Sequence, residues 1–362
     1  MRRIELSYQL AHDSDRAALL RNPLMDLLFA VRTEGSISAA ARKVGYSYRH
    51  VWGQLKAWED TLGEALIVWE RGQAATLTPF AEKLIWTERL AQARLAPQIE
   101  TLRAELERTL ALAFDEHSHV LGLYASHDDA LPLLQAHAAS QAQLHLDIHF
   151  CGSVDAIRAL NEGRCVVAGF HTREQPDIDS PSAQAYRPLL QPGQHKLIGF
   201  AERVQGLIVP KGNPRKLQGL GDVARWRLRY VNRPLGTGTR LLLEELLTEA
   251  GLSAGDLNGH GQTEPSHAAV AQAVASGRAD AGLGTQSAAE RLGLGFVPLV
   301  REHYHLACLK SALDQPAVLA LRQVLATPAW QSALATVPGY APLASGQVRS
   351  LKAVLPWWRF NT

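Results

Sequence analysis

Three glycines, Gly35, Gly45 and Gly63, cut residues 22 to 63 into three short segments, and each segment opens with its own helix-start signal. From Asn22, Leu24, Leu27, Leu28 and Val31 recur at helical spacing up to Glu34-Gly35. Ser36 starts a second helix, ISAAARKV, whose inner face is Ile37, Ala40, Ala41 and Val44. Gly45 closes it, because only glycine readily takes the positive φ of a tight turn between helices. Ser47 then caps a third helix that runs to Leu62 and ends at Gly63. Two short helices joined by a glycine turn, with alanines where they cross, constitute a helix-turn-helix.

In such a motif the second helix presents its first turns outward, to base edges and phosphates when the partner is duplex DNA. Here those turns hold Ser47, Tyr48, Arg49 and His50, followed by Trp52 and Gln54. Between Glu34 and Glu59 there is no acidic residue, whereas Arg42, Lys43, Arg49 and Lys56 are all present. That local positive face suits phosphate contact, and Ser36 and Ser38 flank it. Val51, Leu55 and Trp58 are expected to form the inner stripe. The next stretch, ALIVWERGQAATLTP, predicts a strand from Leu66 to Trp69, a turn at Arg71-Gly72-Gln73 and a second short strand through Leu77. This hairpin is a wing, with Arg71 at its tip for the minor groove or a phosphate.

Thr78-Pro79 caps a further helix. Leu84, Ala91, Leu95, Ile99, Leu102, Leu106 and Leu110 follow along it at close to heptad spacing, a seam that would pair two copies of the chain. Pro97 is expected to kink or interrupt this helix.

A chain of 362 residues with 46% hydrophobic content has enough core for two or three domains. It shows no apolar run of the ~20 residues needed to span a bilayer and no signal-peptide pattern at its start, so a cytoplasmic protein is expected. Cys151, Cys165 and Cys308 lie far apart, without the spacing of a zinc site or a disulfide framework. The net charge of +2 is too small to argue for nucleic acid, so the case rests on the local charge described above.

From Val120 onward the pattern changes to apolar strands alternating with helices: LGLYAS, LDIHF, VVAGF, QGLIVP, LRYVN, ADAGLG and YHLACL. Small hydroxyl residues follow several strand ends, namely Ser126 with His127 and Asp128, Gly152-Ser153, and NRPLGTGTR at 232 to 240. Helix N-termini with free N–H groups and hydroxyls bind small anions, and three such ends could surround one. Ser126-His127-Asp128 has the letters of a catalytic triad, but neighbours at a helix start cannot align as a relay. GTGT lacks the lysine and glycine spacing of a P-loop. The pairs His117/His119, His145/His149 and His303/His305 lack a nearby third ligand, so no metal site is expected.

Residues 22 to 115 resemble the amino-terminal winged-helix domain of LysR-type regulators, and more closely that of the bacterial molybdate-dependent regulator. The resemblance is carried by Gly35-Ser36-Ile37-Ser38-Ala39-Ala40-Ala41, by Gly45-Tyr46-Ser47-Tyr48 with Trp52, and by Leu77-Thr78-Pro79 with Ala81-Glu82-Lys83-Leu84. The remainder, from about Val120 to Leu306, resembles the periplasmic-binding-protein fold in its molybdate-related branch. That likeness is carried by Ser126-His127-Asp128, Gly152-Ser153, Gly212-Asn213-Pro214, Asn232-Arg233-Pro234, Gly236-Thr237-Gly238-Thr239-Arg240, His267-Ala268-Ala269 and Gly277-Arg278-Ala279-Asp280-Ala281-Gly282.

These resemblances imply an α+β multidomain protein: a winged helix-turn-helix over 1–78, a linker and dimerisation helix over 79–115, and a two-lobed α/β periplasmic-binding-protein-like domain over 116–362. Crossovers between lobes are expected near Phe200 and Val300. The implied ligand contacts are Ser126, Gly152, Ser153, Thr237, Gly238 and Thr239, with His267 and Tyr304 as additions. Arg240 either joins them or only anchors its loop. The implied function is a non-enzymatic, one-component transcription regulator binding an operator as a homodimer or a tetramer, without catalytic residues, metal or membrane. Its implied effector is molybdate or tungstate held by neutral donors; the alternatives are formate or another small carboxylate, and a scavenging protein without DNA coupling. The molybdate-dependent regulator usually carries a small β-barrel ligand domain, replaced entirely here, so metal specificity does not carry over from the DNA-binding half.

Overall fold

The computed structural model describes residues 22–68, 74–114 and 119–358, with residues 107–114 as backbone only. Arg71 and His117 therefore lie outside the described residues. The chain divides into two compact units, Met1–Gln92 and Ala93–Thr362.

In the first unit, α1 (Pro23–Glu34), α2 (Ile37–Val44) and α3 (Tyr48–Leu62) are followed by β1 (Ile67–Val68), β2 (Thr76–Leu77) and the start of α4 (Pro79–Phe114). Side-chain oxygens of Asn22, Ser36 and Ser47 accept from Leu24, Ala39 and His50 N–H, which fixes the three helix starts. Leu28, Val31, Ala40, Val51, Leu55, Leu66 and Ile85 form the core. Trp58 departs from the expected stripe, being 38% exposed. The reason is that α3 outruns this small core at its last turn. There Glu59 turns inward instead, accepting from Leu66 N–H at 2.8 Å and Ile67 N–H at 3.3 Å, so that one carboxylate pins β1 to α3. Trp52, not Trp58, packs half-buried against the core.

Pro97 does not interrupt α4, which is helical from Pro79 to Phe114. A proline lacks the N–H that its i−4 carbonyl would receive, here that of Ala93. The Ser266 hydroxyl donates to this carbonyl at 3.1 Å, supplying the missing donor from outside the helix.

The second unit continues with β3 (His119–Ala125), α5 (Ala130–Ala142), β4 (Leu144–Phe150), α6 (Ser153–Asn161), β5 (Val167–Arg173), α7 (Pro181–Tyr186) and β6 (His195–Val209). Then come α8 (Leu220–Arg225), β7 (Tyr230–Val231), α9 (Gly238–Glu249), α10 (His267–Ala275), β8 (Ala281–Thr285), α11 (Gln286–Arg291) and β9 (Gly295–Leu309). The described chain ends with α12 (Pro316–Ala326), α13 (Pro328–Ala335), β10 (Tyr340–Pro342), β11 (Val348–Ser350) and α14 (Leu351–Val354). The large sheet runs β4-β3-β5-β9-β6-β8-β7, with β10 and β11 also paired to β6.

The antiparallel pair β6 and β9, paired from His195↔Leu309 to Val209↔Gly295 with register shifts at Gly199/Ala201 and Gln205/Gly206, traverses both lobes. Around the β3-β4-β5 end, α5, α12 and α13 cover one face through Leu131, Leu134, Leu321 and Trp330, while α6 and α7 cover the other through Ile157, Leu160 and Tyr186. Around the β7-β8 end, Leu207 and Val209 of β6 face α8 and α9, and Ile208 between them faces α10 and α11. This alternation is the period of two that a strand buried on both faces requires. Among the described residues no helix is long and apolar enough to cross a membrane.

Two outcomes follow from this packing. Replacing Glu59 by Ala leaves the Leu66 and Ile67 N–H groups without their acceptor and is expected to cost about 1–3 kcal/mol, read by urea unfolding of the amino-terminal unit. His305, buried beside Thr172 Oγ1 at 3.0 Å, is pushed down to about 3 by burial first and then by His303, His171 and Arg349. Its unfolded form titrates near the ordinary histidine value, so protons bind the unfolded chain preferentially below it. Stability is therefore expected to be full at neutral pH and to fall from about pH 6.5 downward, by up to about 1.4 kcal/mol per unit for this one group, with a shallower slope in His305→Gln.

Candidate functional site

The turn between α2 and α3 builds a flat polar face. Ser38, Arg42, Lys43, Ser47, Tyr48, Arg49, His50 and Gln54 are all exposed, while Ser36 and Trp52 are half-buried. The hydroxyls of Ser36 and Ser47 cap α2 and α3. Tyr48 stacks on Trp52 with centroids 6.4 Å apart, and Lys56 lies 5.2 Å over the Trp52 ring, so these aromatics form a surface rib. Lys43 pairs with Glu34 at 2.6 Å. Lys56 pairs with Glu59 at 2.6 Å, whereas Arg42 and Arg49 are exposed and have no carboxylate partner among the described residues, as phosphate or base contacts require.

The second constellation lies at the seam between the two lobes of the carboxy-terminal unit. The lobes meet where Val154 N–H, in the first turn of α6, donates to the Gly236 carbonyl at 3.2 Å. Gly152 sits so close to this carbonyl that an added Cβ would stand 2.9 Å from it, so the approach requires glycine. Asp129 adds a second closure, accepting from Ser287 Oγ at 2.5 Å and from Arg291 at 3.1 Å.

Behind this contact lies a buried charged network. Arg203 of β6 binds Asp128 and donates through Nε to Glu302 of β9 at 2.9 Å. Tyr340 donates to Asp128 at 2.9 Å, and Gln205 donates to both Glu302 and Thr239 Oγ1. Burial by itself would raise the Asp128 pKa, but Arg203 and His171 more than offset it and hold the carboxylate ionised. Arg203 is thus saturated.

Arg233, on the loop between β7 and α9, is its opposite. It is only 2% exposed, and its Nε and Nη1 have no hydrogen-bond partner among the described residues. Burial and the neighbouring Arg203 push its guanidinium down to about 9, with Asp128 pulling the other way. The same seam holds Ser153 Oγ, both ring nitrogens of His171, His267 Nδ1 and Tyr304 Oη, all buried and without a hydrogen bond among the described residues, although His171 Nε2 lies 3.7 Å from the Asp128 carboxylate. The His171 and Tyr304 rings lie 3.8 Å apart. A Cβ on Gly238 would stand 3.3 Å from His171 Cβ and 3.4 Å from Ser153 Oγ, which places the start of α9 directly over both. Burial, then Arg233 and Arg203, keeps His267 well below the ordinary histidine range, and burial holds Tyr304 as a neutral hydroxyl. One unpaired cation and several neutral donors converge there, a set complementary to an anion.

Several expected contacts are placed differently. Ser126 does not start a helix: α5 begins at Ala130, His127 turns to Glu100 at 3.0 Å, and Asp128 joins Arg203. Thr237 does stand at a helix start as expected, capping α9 with its hydroxyl, which also donates to the Pro234 carbonyl at 2.8 Å. Arg240 is an anchor, donating to Glu244 at 2.8 Å and lying 3.3 Å from His260, so it does not face the seam as a free cation. Arg233 instead stands among the buried neutral groups of the seam. Sequence reading passed over Arg233, although its signal was present: an arginine directly after an apolar strand whose nearest acids in sequence are Asp222 and Glu244. Of the paired histidines, His145 contacts the Ala104 carbonyl at 3.0 Å and His149 stacks on Tyr124.

The bacterial regulatory helix-turn-helix protein, lysR family, matches residues 24–82, and the PBP superfamily domain matches residues 134–326. The uncharacterized protein YvgK of Bacillus subtilis (strain 168) is 30% identical over 226 residues, 62% of this chain and 72% of YvgK. The molybdenum-pterin-binding protein MopB of Rhodobacter capsulatus is 36% identical over 84 residues, 22% of this chain but only 31% of MopB. Among solved structures, full-length BenM with a single substitution gives a TM-score of 0.43 at 15% identity, over 88% of this chain and 98% of that one. The chain belongs to the PBP superfamily, and it carries a lysR-family helix-turn-helix ahead of that domain.

Proposed function

We propose that the chain is a one-component transcription regulator, in which the α2–α3 face reads an operator and the seam between the carboxy-terminal lobes senses a small anion. The observation that carries the sensing half is the buried guanidinium of Arg233, whose Nε and Nη1 have no hydrogen-bond partner among the described residues. A buried cation without a counterion is costly, and a site that keeps one is stabilised when an anion arrives. Ser153, Tyr304, His171 and His267 supply further donors, and the first turns of α6 and α9 add their N–H groups. The Gly236 carbonyl now occupies the start of α6, in the position of an acceptor that an anion would displace.

Molybdate or tungstate is the leading effector, supported by the number of converging donors and by the partial similarity to a molybdenum-pterin-binding protein. Formate or another small carboxylate is the second reading, favoured by the planar guanidinium fork of Arg233, which matches a carboxylate bidentately. DNA binding as a homodimer, or as a tetramer of paired dimers, is supported by α4. Leu95, Leu102 and Leu106 are 37%, 54% and 45% exposed, at a spacing that a second copy of the helix would cover.

Calorimetry with molybdate, tungstate, sulfate and formate tests the sensing half. Arg233→Met is expected to abolish anion binding while raising the melting temperature of the free protein, because an uncompensated buried charge is removed. Retained binding in this variant, or the absence of binding by any of the anions to the wild type, overturns the anion reading. On the DNA side, Arg49→Ala is expected to weaken operator binding by about 1–3 kcal/mol at fixed salt, and equal affinity would take Arg49 out of the interface.

A further inference from the structure

The stretch of α4 from Ala93 to Ala104 holds both lobes of the sensing unit. On the lobe containing α10, Arg94 makes a bidentate pair with Glu264, Nε to Oε2 at 2.7 Å and Nη2 to Oε1 at 2.5 Å. Beside it, Ser266 donates to the Ala93 carbonyl that Pro97 leaves free, and the same hydroxyl accepts from Ala269 N–H to cap α10. On the lobe containing β3 and β4, Glu100 meets His127 at 3.0 Å, Thr101 Oγ1 accepts from Phe150 N–H at 3.3 Å, and the Ala104 carbonyl meets His145 at 3.0 Å. Glu264, Ser266 and Ala104 are buried at these contacts.

Several of these anchors adjoin the anion seam. His127 precedes Asp128, Ser266 precedes His267, and Phe150 lies three residues before Ser153. A helix is stiff along its axis, whereas hydrogen bonds fail beyond a few tenths of an ångström. Separating the lobes must therefore break one set of anchors, and bringing them together restores both.

We propose that residues 93–104 of α4 act as a strap across the two lobes, so that closure of the seam on an anion fixes the lobe II anchors Glu264 and Ser266 to the helix that leads back to the winged domain. Lobe II is the lobe containing α10. The coupling to an anion rests on the reading of the seam given above, but the strap itself is testable without ligand. Pro97 is part of the device, since a residue with an N–H at that position would compete with Ser266 for the Ala93 carbonyl.

The experiment is hydrogen–deuterium exchange on the full chain. In the absence of anion, Glu264→Gln is expected to speed exchange several-fold in residues 126–130 and 152–154, across the seam from the substitution, and Arg94→Gln should reproduce it from the helix side. Changes confined to 262–270 and to α4 overturn the strap. Pro97→Ala should slow exchange within α4 yet speed it at 267–270; a proline with only a local role would leave α10 unchanged, and that result removes Ser266 from the device. With molybdate or formate, whichever calorimetry shows to bind, exchange over 93–104 should slow in the wild type and stay fast in Glu264→Gln. Binding that leaves 93–104 unchanged in the wild type overturns the coupling. If neither anion binds, it is the anion reading that fails, and the ligand-free arm alone decides the strap.

Discussion

Arg203 stands where the two long strands pass from one lobe to the other, opposite Glu302 in the β6–β9 register and bound to Asp128 at the end of β3. Two carboxylates on one buried guanidinium satisfy each other only if three separate elements arrive together. A slip of one residue in β6 would turn Arg203 toward the opposite face and leave Asp128 and Glu302 as uncompensated buried charges. Tyr340 and Gln205 extend the network to the carboxy-terminal segment and to α9. The register of the sheet, the position of the seam and the return of the chain after α13 are thereby tied to one ion cluster.

Against that saturated centre the orphaned groups are informative. Buried donors without partners are destabilising, and a fold that satisfies Arg203 so fully is not short of acceptors in general. Asp128 lies near enough to lower the His171 and Arg233 imbalance electrostatically, yet its oxygens are taken by Arg203, Tyr340 and Ala130 N–H. Arg233 is thus denied a hydrogen bond to the carboxylate whose charge acts on it. Local frustration of this kind, at the contact between two lobes, is where function is expected to oppose stability.

Much of this was legible in the sequence because it depends on neighbours in the chain. Asn22, Ser36, Ser47, Gly35, Gly45 and Gly63 act within one turn of their own position, and the structure places a cap or a left-handed residue at each. The apolar strands were visible for the same reason. Arg203, Glu302 and Asp128 were not, since their pairing spans separations of 99 and 75 residues that no local pattern encodes. Trp58 misled because helical spacing states which face a residue shares, while the extent of the core under that face is a tertiary property. Arg240 and Arg233 lie in one motif, and only the positions of Glu244 and His260 distinguish the anchored arginine from the free one.

Pro97 shows how a correct local principle can point to the wrong conclusion. The missing N–H was read as a kink or an interruption because the helix was considered alone, and the interruption does not occur. In the folded chain the vacancy at the Ala93 carbonyl is filled by Ser266, one residue before His267 of the seam. A carbonyl that no helix N–H can reclaim is a permanent acceptor, so the contact depends on where α10 stands rather than on competition within α4. A leucine or alanine at that position would strengthen the helix and weaken its dependence on Ser266. For the regulator proposed above the second quantity matters more: the reciprocal effect of effector and DNA on one another could be no larger than the difference in contacts between open and closed lobes, and the anchors of α4 are the contacts that the proposed closure would change.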